Sequence, residues 1–355
     1  MKVDIWPIDI PVTDDFVISQ GAVTTAENCF VRLELACGAV GYGEIAPFTD
    51  ITGEDRSTSY KVAKNLSNHL INQSVATYRK LSGFMSEAEP NEPAARCGLE
   101  TAILDAFCHA LGIPLWAFWG GRCLDGFETD ITIPILNTER SVKLIEHWFD
   151  LGFRVFKIKV GSELESDIKR IEKLNESKPN LSFILDANQG FTESEALRFI
   201  KEVKKLNCNI MLFEQPVAKD DLIGLAVIKD SCGVLVAADE SVTTTVEAQK
   251  VILAKAADII NIKIMKSGVI EATRITEIAR AAGMKLMFGG MVETRLAMGC
   301  SYAIALGLSG AEFLDLDTPL LLSEDPLSGG YKYVGPGMTI WTEPGLGMKP
   351  NQIPV

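Results

Sequence analysis

Short apolar runs separated by helical stretches fill residues 128–319 of this chain. ETDITIPIL (128–136), VFKIKV (155–160), SFILDANQ, IMLFEQP, VLVAADES, IINIKIMKSG, KLMFGGM (285–291) and EFLDLDTP (312–319) read as eight strands. SVKLIEHWFDLG, after the first of them, reads as a helix. Within VFKIKV the period of two puts Phe156, Ile158 and Val160 on one face, suited to packing under helices. Lys157 and Lys159 then share the other face, about 7 Å apart. Burying two unpaired charges costs several kcal/mol, so anionic partners should converge there.

The following runs supply them. From Lys159, an ionisable residue recurs every 24–28 positions: Asp186, Glu214, Asp239 and Lys263. One strand, one helix and two short loops take about that many residues. The pattern predicts a parallel α/β barrel with each group at the C-terminal end of its strand, where barrel active sites lie.

Before the barrel, residues 1–60 read as β-structure, with CFVRLELACGAVGYGEIAP forming a hairpin that turns near Cys37 and Gly38. The polar loop PFTDITGED follows, and a helical pattern runs from Ser57 to about Leu111. The aromatic, Gly-rich stretch 114–127 reads as a linker. This organisation predicts a capping α+β domain (1–122), a barrel (123–321) and a tail (322–355) that packs back on the cap. YKYVG and MTIWTE are strand-like pieces of that tail.

Composition narrows the function classes. A net charge of −13 without any basic run disfavours nucleic acid and anionic membrane as partners. The eight cysteines show no C-x-x-C pair, so each is expected to be a buried free thiol rather than part of a zinc or disulfide framework. No run reaches the roughly 18 apolar residues of a membrane span, and MKVDIWPIDIPVTDD lacks the apolar core of a signal peptide. These features predict a cytoplasmic protein and leave a homo-oligomer open.

Asp186, Glu214 and Asp239 offer only hard oxygen donors, which suits Mg²⁺ or Mn²⁺ better than zinc. The three histidines, His69, His109 and His147, lie outside the later strands. Lys159 and Lys263 flank the carboxylates; a lysine crowded by a metal and a second ammonium is lowered toward the range of a general base. Two such bases on opposite sides of one carbon can exchange a proton from either face. Lys157 would lower the basicity of Lys159 and help neutralise an anionic intermediate, whereas Lys266 reads as a surface lysine. In FLDLDTP, Asp315 and Asp317 share one strand face, and two adjacent like charges call for a cation, best a substrate ammonium.

The K-x-K of FKIKVG, with LDANQG, FEQP, ADES and INIKIMKSG, resembles the enolase superfamily, in its muconate lactonizing enzyme subgroup. The resemblance extends over nearly the whole chain, including GYGEIAPF and ITGED. FLDLDTPLLL, with its Asp-x-Asp pair, is similar to the dipeptide epimerases of that subgroup. The resemblance implies a modified (β/α)₇β barrel under an α+β cap. It implies Mg²⁺ on Asp186, Glu214 and Asp239, acid/base catalysis by Lys159 and Lys263, and a dipeptide ammonium on Asp315 and Asp317. Thr132 and Val292 match positions that line the substrate pocket. Epimerisation would invert the α-carbon of the C-terminal residue through an enolate, without redox or nucleotide cofactor.

The capping loops, 16–25 and 46–55, would select the substrate. In relatives acting on L-Ala-D/L-Glu, the first loop carries an arginine; here Gly21 stands at that position and residues 11–25 hold no Lys or Arg. Asp14 and Asp15 in that loop, and Asp50 in the second, would repel an acidic side chain. An apolar second residue is expected, with Asp50 leaving a cationic one open. The o-succinylbenzoate synthases, N-acylamino acid racemases and muconate cycloisomerases share the core motifs, but their substrates give Asp315 and Asp317 no ammonium to bind. A catalytically silent binding protein on this fold would lack a ligand or a lysine, and none is missing.

Overall fold

A computed structural model describes residues 1–121 and 126–353. The cap begins as an antiparallel sheet of β1 (Lys2–Ile18), β2 (Gly21–Glu34) and β3 (Val40–Ile45), with the β2–β3 turn at Gly38. Helices α1 (Arg56–Leu70), α2 (Tyr78–Ala88) and α3 (Pro93–Leu111) cover it. Asp55 caps α1 by accepting from the Thr58 N–H, and the left-handed Gly112 ends α3. Contact between β3 and α3 is close enough to require glycine. A Cβ at Gly41 would stand 2.1 Å from the Ala106 nitrogen, and one at Gly43 2.0 Å from the Gly98 oxygen.

The barrel is one eight-stranded parallel sheet in sequential order. Its strands are β4 (Ile131–Ile133), β5 (Val155–Lys159), β6 (Ser182–Asp186), β7 (Asn209–Glu214), β8 (Leu235–Ala238), β9 (Ile259–Ile262), β10 (Lys285–Phe288) and β11 (Ala311–Leu314). Helices alternate with them, beginning with α4 (Thr138–Asp150), as the repeat of apolar run and amphipathic helix predicts. Ile184, Leu212, Ala237, Ile259 and Met287 fill the barrel interior beneath the mouth. The ends of the sheet meet through the Asp130 N–H, which donates to the Leu314 oxygen at 3.0 Å.

The first barrel strand and the linker depart from the sequence expectation. The first barrel strand is only Ile131–Ile133, because Pro134 has no N–H to continue the ladder. Upstream, Phe127–Glu128 pairs instead with Gly337–Met338 of the tail. The stretch read as a linker is partly packed: Leu115–Phe118 forms a helical turn with Leu115 buried, and Trp116 Nε1 donates to the Trp341 oxygen. The boundary expected near residue 123 lies outside the described residues. In the tail, Leu327–Gly329 pairs with Met348–Pro350, and the Leu346 N–H reaches Asp105 in α3 at 2.6 Å.

Glu44, in the middle of GYGEIAP, pins cap to barrel. Its buried carboxylate accepts from Asn28, from Thr294 and from the Ala297 N–H. Among the described cysteines all are free; Cys37 is exposed and Cys208 half-buried, so burial does not extend to every thiol. No helix among the described residues is long and apolar enough to cross a membrane.

Candidate active site

Strand register sets the depth of each group. Lys159 lies level with Asp186, while Lys157 lies level with Thr132 and Ile184, one layer deeper. Both lysines are buried, at 1% exposure for Lys157 and 5% for Lys159. The Lys157 ammonium lies 3.0 Å from Asp186, 2.9 Å from Glu214 and 2.6 Å from Asp315. Lys159 reaches Asp186 at 2.7 Å and Asn188 Oδ1 at 3.1 Å. On the far side, Lys263 lies 2.6 Å from Asp239 Oδ2. The β6, β7 and β8 carboxylates therefore stand between two lysines, one from β5 and one just past β9.

Burial and charge compete at every group. Burial raises Asp186 and Asp239, but neighbouring ammoniums overcome it: Lys157 and Lys159 for the first, Lys263 and Lys266 for the second. Both carboxylates are held well below their usual range. Glu214 is pushed up to about 8 by burial and by Asp186, against the pull of Lys157. Burial lowers Lys157 and Lys263, yet the surrounding carboxylates carry both above the usual lysine value. The lowering expected of Lys263 as a general base calls for a metal beside it; the protein's own nearest charge there is the Asp239 carboxylate, which raises it.

The donor set fits a hard divalent ion. Glu214 Oε2 and Asp239 Oδ2 are buried and accept no well-formed hydrogen bond, although an ammonium lies near each. The donors these three strand ends offer are all carboxylate oxygens, the type Mg²⁺ prefers, with the Lys157 and Lys263 ammoniums standing among them. A second acidic group stands beside this one: among the described residues, carboxylate oxygens of Asp130, Asp315 and Asp317 lie within 4.8 Å of one another. Asp317 accepts from the Thr132 N–H at 2.5 Å, and neither oxygen of Asp130 has a hydrogen-bond partner.

A chamber of about 30 Å³ opens on these groups. Lys159, Lys263, Asp315 and Thr132 line it from the barrel, with Phe16, Ile18, Phe48 and Ile51 as its apolar roof. The first capping loop is fastened over it: Ser19 and Gln20 side chains donate to the Asn188 oxygen, and the Ile135 N–H donates to Val17. Asp317 is fully buried behind the chamber. Asp50 and Val292 line a separate groove with Asp55 and Arg56, and the Asp50 carboxylate presses on Gly21. Asp14 is not a free negative charge. Arg140 on α4 holds it through two hydrogen bonds of 2.7 Å, so the cation absent from residues 11–25 comes from the barrel.

Several site residues escaped the sequence reading. Lys266 is buried, not a surface lysine: it lies 2.5 Å from Asp239 Oδ1 and 3.0 Å from the Asn261 oxygen. Its signal was the helical i, i+3 spacing from Lys263 on the buried turn Ile264–Ser267. Asn261 donates to Glu214 at 2.7 Å. Asp130 shares the two-residue alternation of Thr132, which could have placed it inside the barrel. Gln215 sits at φ +34 and accepts from the Asp239 and Ser241 N–H groups, so the FEQP turn braces the next strand end.

A (β/α)₇β barrel under an α+β cap, with acidic strand ends between two buried lysines, defines the enolase type of protein. Residues 140–353 match the enolase C-terminal domain-like family, and residues 3–120 the mandelate racemase / muconate lactonizing enzyme N-terminal domain. The chain belongs to the mandelate racemase / muconate lactonizing enzyme family. It is 40% identical over 335 residues to an L-Ala-D/L-amino acid epimerase of Populus trichocarpa, covering 93% of this chain and 79% of the relative. To an aromatic dipeptide epimerase of Herpetosiphon aurantiacus it is 37% identical, covering 92% of each. A dipeptide epimerase of Cytophaga hutchinsonii, solved with Mg and the dipeptide D-Ala-L-Val, superposes with a TM-score of 0.95. That match has 30% identity and covers 99% of this chain and 95% of the other.

Proposed function

We propose that this protein is a Mg²⁺-dependent dipeptide epimerase that inverts the C-terminal α-carbon of L-Ala-L-Xaa dipeptides, with apolar Xaa preferred. The observation that carries the mechanism is that Lys159 and Lys263 line one chamber from strands on either side of the three carboxylates. Asp186, Glu214 and Asp239 would hold Mg²⁺, with Mn²⁺ compatible with the same donors. When bound there, the ion supplies positive charge that acidifies the proton α to the substrate carboxylate and opposes the raised basicity of Lys263. One lysine removes that proton and the other returns one to the opposite face. Lys157, one layer below, offsets the negative charge that develops. Asp315 and Asp317 hold the substrate ammonium.

The apolar roof of Phe16, Ile18, Phe48 and Ile51 favours an apolar second residue. With Asp14 neutralised by Arg140, this preference rests on the roof and not on repulsion from Asp14.

Proton exchange in D₂O tests the reading. Lys159→Ala should lose α-proton exchange with one enantiomer and Lys263→Ala with the other, and excess EDTA should abolish both. Wild-type epimerisation by both variants, or full turnover after verified metal removal, would sink it. Across L-Ala-L-Xaa substrates, kcat/KM should be highest for apolar Xaa and low for Glu; a preference for Glu would overturn the roof argument.

A further inference from the structure

The chamber has a neighbour. Phe16 and Thr132 line both it and a second cavity of about 390 Å³, more than ten times as large. That cavity lies where the tip of β1, the end of β4 and helix α4 come together. Its apolar wall comprises Pro134, Leu144, Trp148, Leu320 and Leu321. These hydrophobic side chains, apart from Pro134, are half-buried and packed on the core, with the cavity on their free side.

An ammonium at Asp315 would fix the N-terminal α-carbon of a dipeptide close to Thr132. Asp315 and Thr132 face the same chamber, and Asp317 is bonded to the Thr132 N–H. Toward the barrel axis, a side chain leaving that carbon meets buried charges. On the Thr132 side it meets the wall of Thr132 and Phe16 that the chamber shares with the larger cavity. We propose that this cavity is a subsite for the side chain of the substrate's N-terminal residue, and that it takes bulky apolar groups such as those of Leu and Phe.

The charges around the cavity agree with that class. Arg140, one of the cations on its wall, is engaged by both oxygens of Asp14. Lys143 and His147 stand on the exposed side of α4, where water already solvates them. An acidic side chain would gain little there, whereas an apolar one gains roughly 25 cal/mol for each Å² removed from water.

The inference rests on the dipeptide reading above, so its test must separate the two. Epimerisation and equilibrium binding of L-Ala-L-Leu, L-Phe-L-Leu and L-Glu-L-Leu would be measured on the wild type with Mg²⁺, and on Leu144→Trp and Leu144→Ala. Leu144→Trp fills the cavity from a half-buried helix position, and the alanine variant enlarges it. The wild type should accept Phe at least as well as Ala. Leu144→Trp should lower the Phe/Ala ratio of both kcat/KM and affinity at least tenfold, while Leu144→Ala should not lower it. Ratios in both variants within twofold of wild type would overturn the subsite, as would a wild type that prefers Glu to Phe. Failure of the epimerase reading shows differently, as absence of α-proton exchange with every dipeptide. The calorimetric Phe/Ala ratio still decides the subsite in that case.

Discussion

The Asp50 carboxylate occupies the space that any side chain at position 21 would need: a Cβ on Gly21 would stand 1.9 Å from Asp50 Oδ2. The two capping loops are therefore matched at this point. An arginine introduced at 21 would meet a carboxylate before it met a substrate, and would pair with it. Gly21→Arg alone should leave Ala-Glu a poor substrate. Gly21→Arg with Asp50→Asn, which frees the guanidinium, should raise kcat/KM for Ala-Glu at least tenfold over the single variant. Equal values for the two would show that Asp50 does not control that cation.

A second prediction concerns Lys266, whose ammonium lies 2.5 Å from Asp239. Removing one partner of a buried ion pair typically costs about 3–5 kcal/mol. Lys266→Met should therefore melt lower than wild type. A divalent ion on Asp239 supplies part of the missing charge, so Mg²⁺ should raise the Tm of Lys266→Met more than it raises that of wild type. Identical Tm increments in thermal melts would contradict this role for Lys266.

These two cases also mark what the sequence made legible. The strands that end in buried ionisable residues were readable because such a residue closing an apolar run is costly unless it is paired, and the period of two assigns its face. Lys266 was missed because it follows its strand on a single helical turn, where the two-residue rule no longer holds. Contacts such as Arg140 with Asp14, or Thr132 with Asp317, join residues 126 and 185 positions apart. No local pattern encodes such pairs. They arise only when the cap is seated and the last strand end meets the first. Loop facing was likewise hidden: Asp14 reads as a free acid until α4 is placed beside it.

Stability should depend on pH through buried acids away from the site. Asp105 in α3 is pushed up to about 7 by burial, against the N–H donors of Leu346 and Tyr42. An acid raised in the folded state binds its proton more tightly there than in the unfolded chain. Its contribution is thus complete below the unfolded value near 4 and is lost as pH rises through about 7. Asp105→Asn cannot titrate. The stability difference between wild type and this variant, from urea unfolding, should favour wild type more at pH 5 than at pH 8, by about 1 kcal/mol or more. A difference that does not vary with pH would refute the assignment.

The last prediction concerns Asp130, Asp315 and Asp317. Their carboxylate oxygens lie within 4.8 Å of one another, and one ammonium, that of Lys157, lies 2.6 Å from Asp315. Burial together with Asp315 and Asp317 drives Asp130 well above the usual carboxylate range, and burial with Asp315 pushes Asp317 up to about 7. Near neutral pH the group is therefore short of full ionisation. A substrate ammonium favours the charged forms, so binding a free dipeptide at pH 7 should release protons. Calorimetry in buffers of different ionisation enthalpy measures that release directly, and it should fall in Asp130→Asn. Replacing Asp315 and Asp317 together with Asn should weaken free dipeptides by roughly 2–5 kcal/mol, the usual cost of leaving a buried charge unpaired. N-acetylated dipeptides, which carry no ammonium, should release no protons and should be poor substrates of the wild type. Equal kcat/KM for free and acetylated forms would mean that these three carboxylates serve something other than the substrate's amino end.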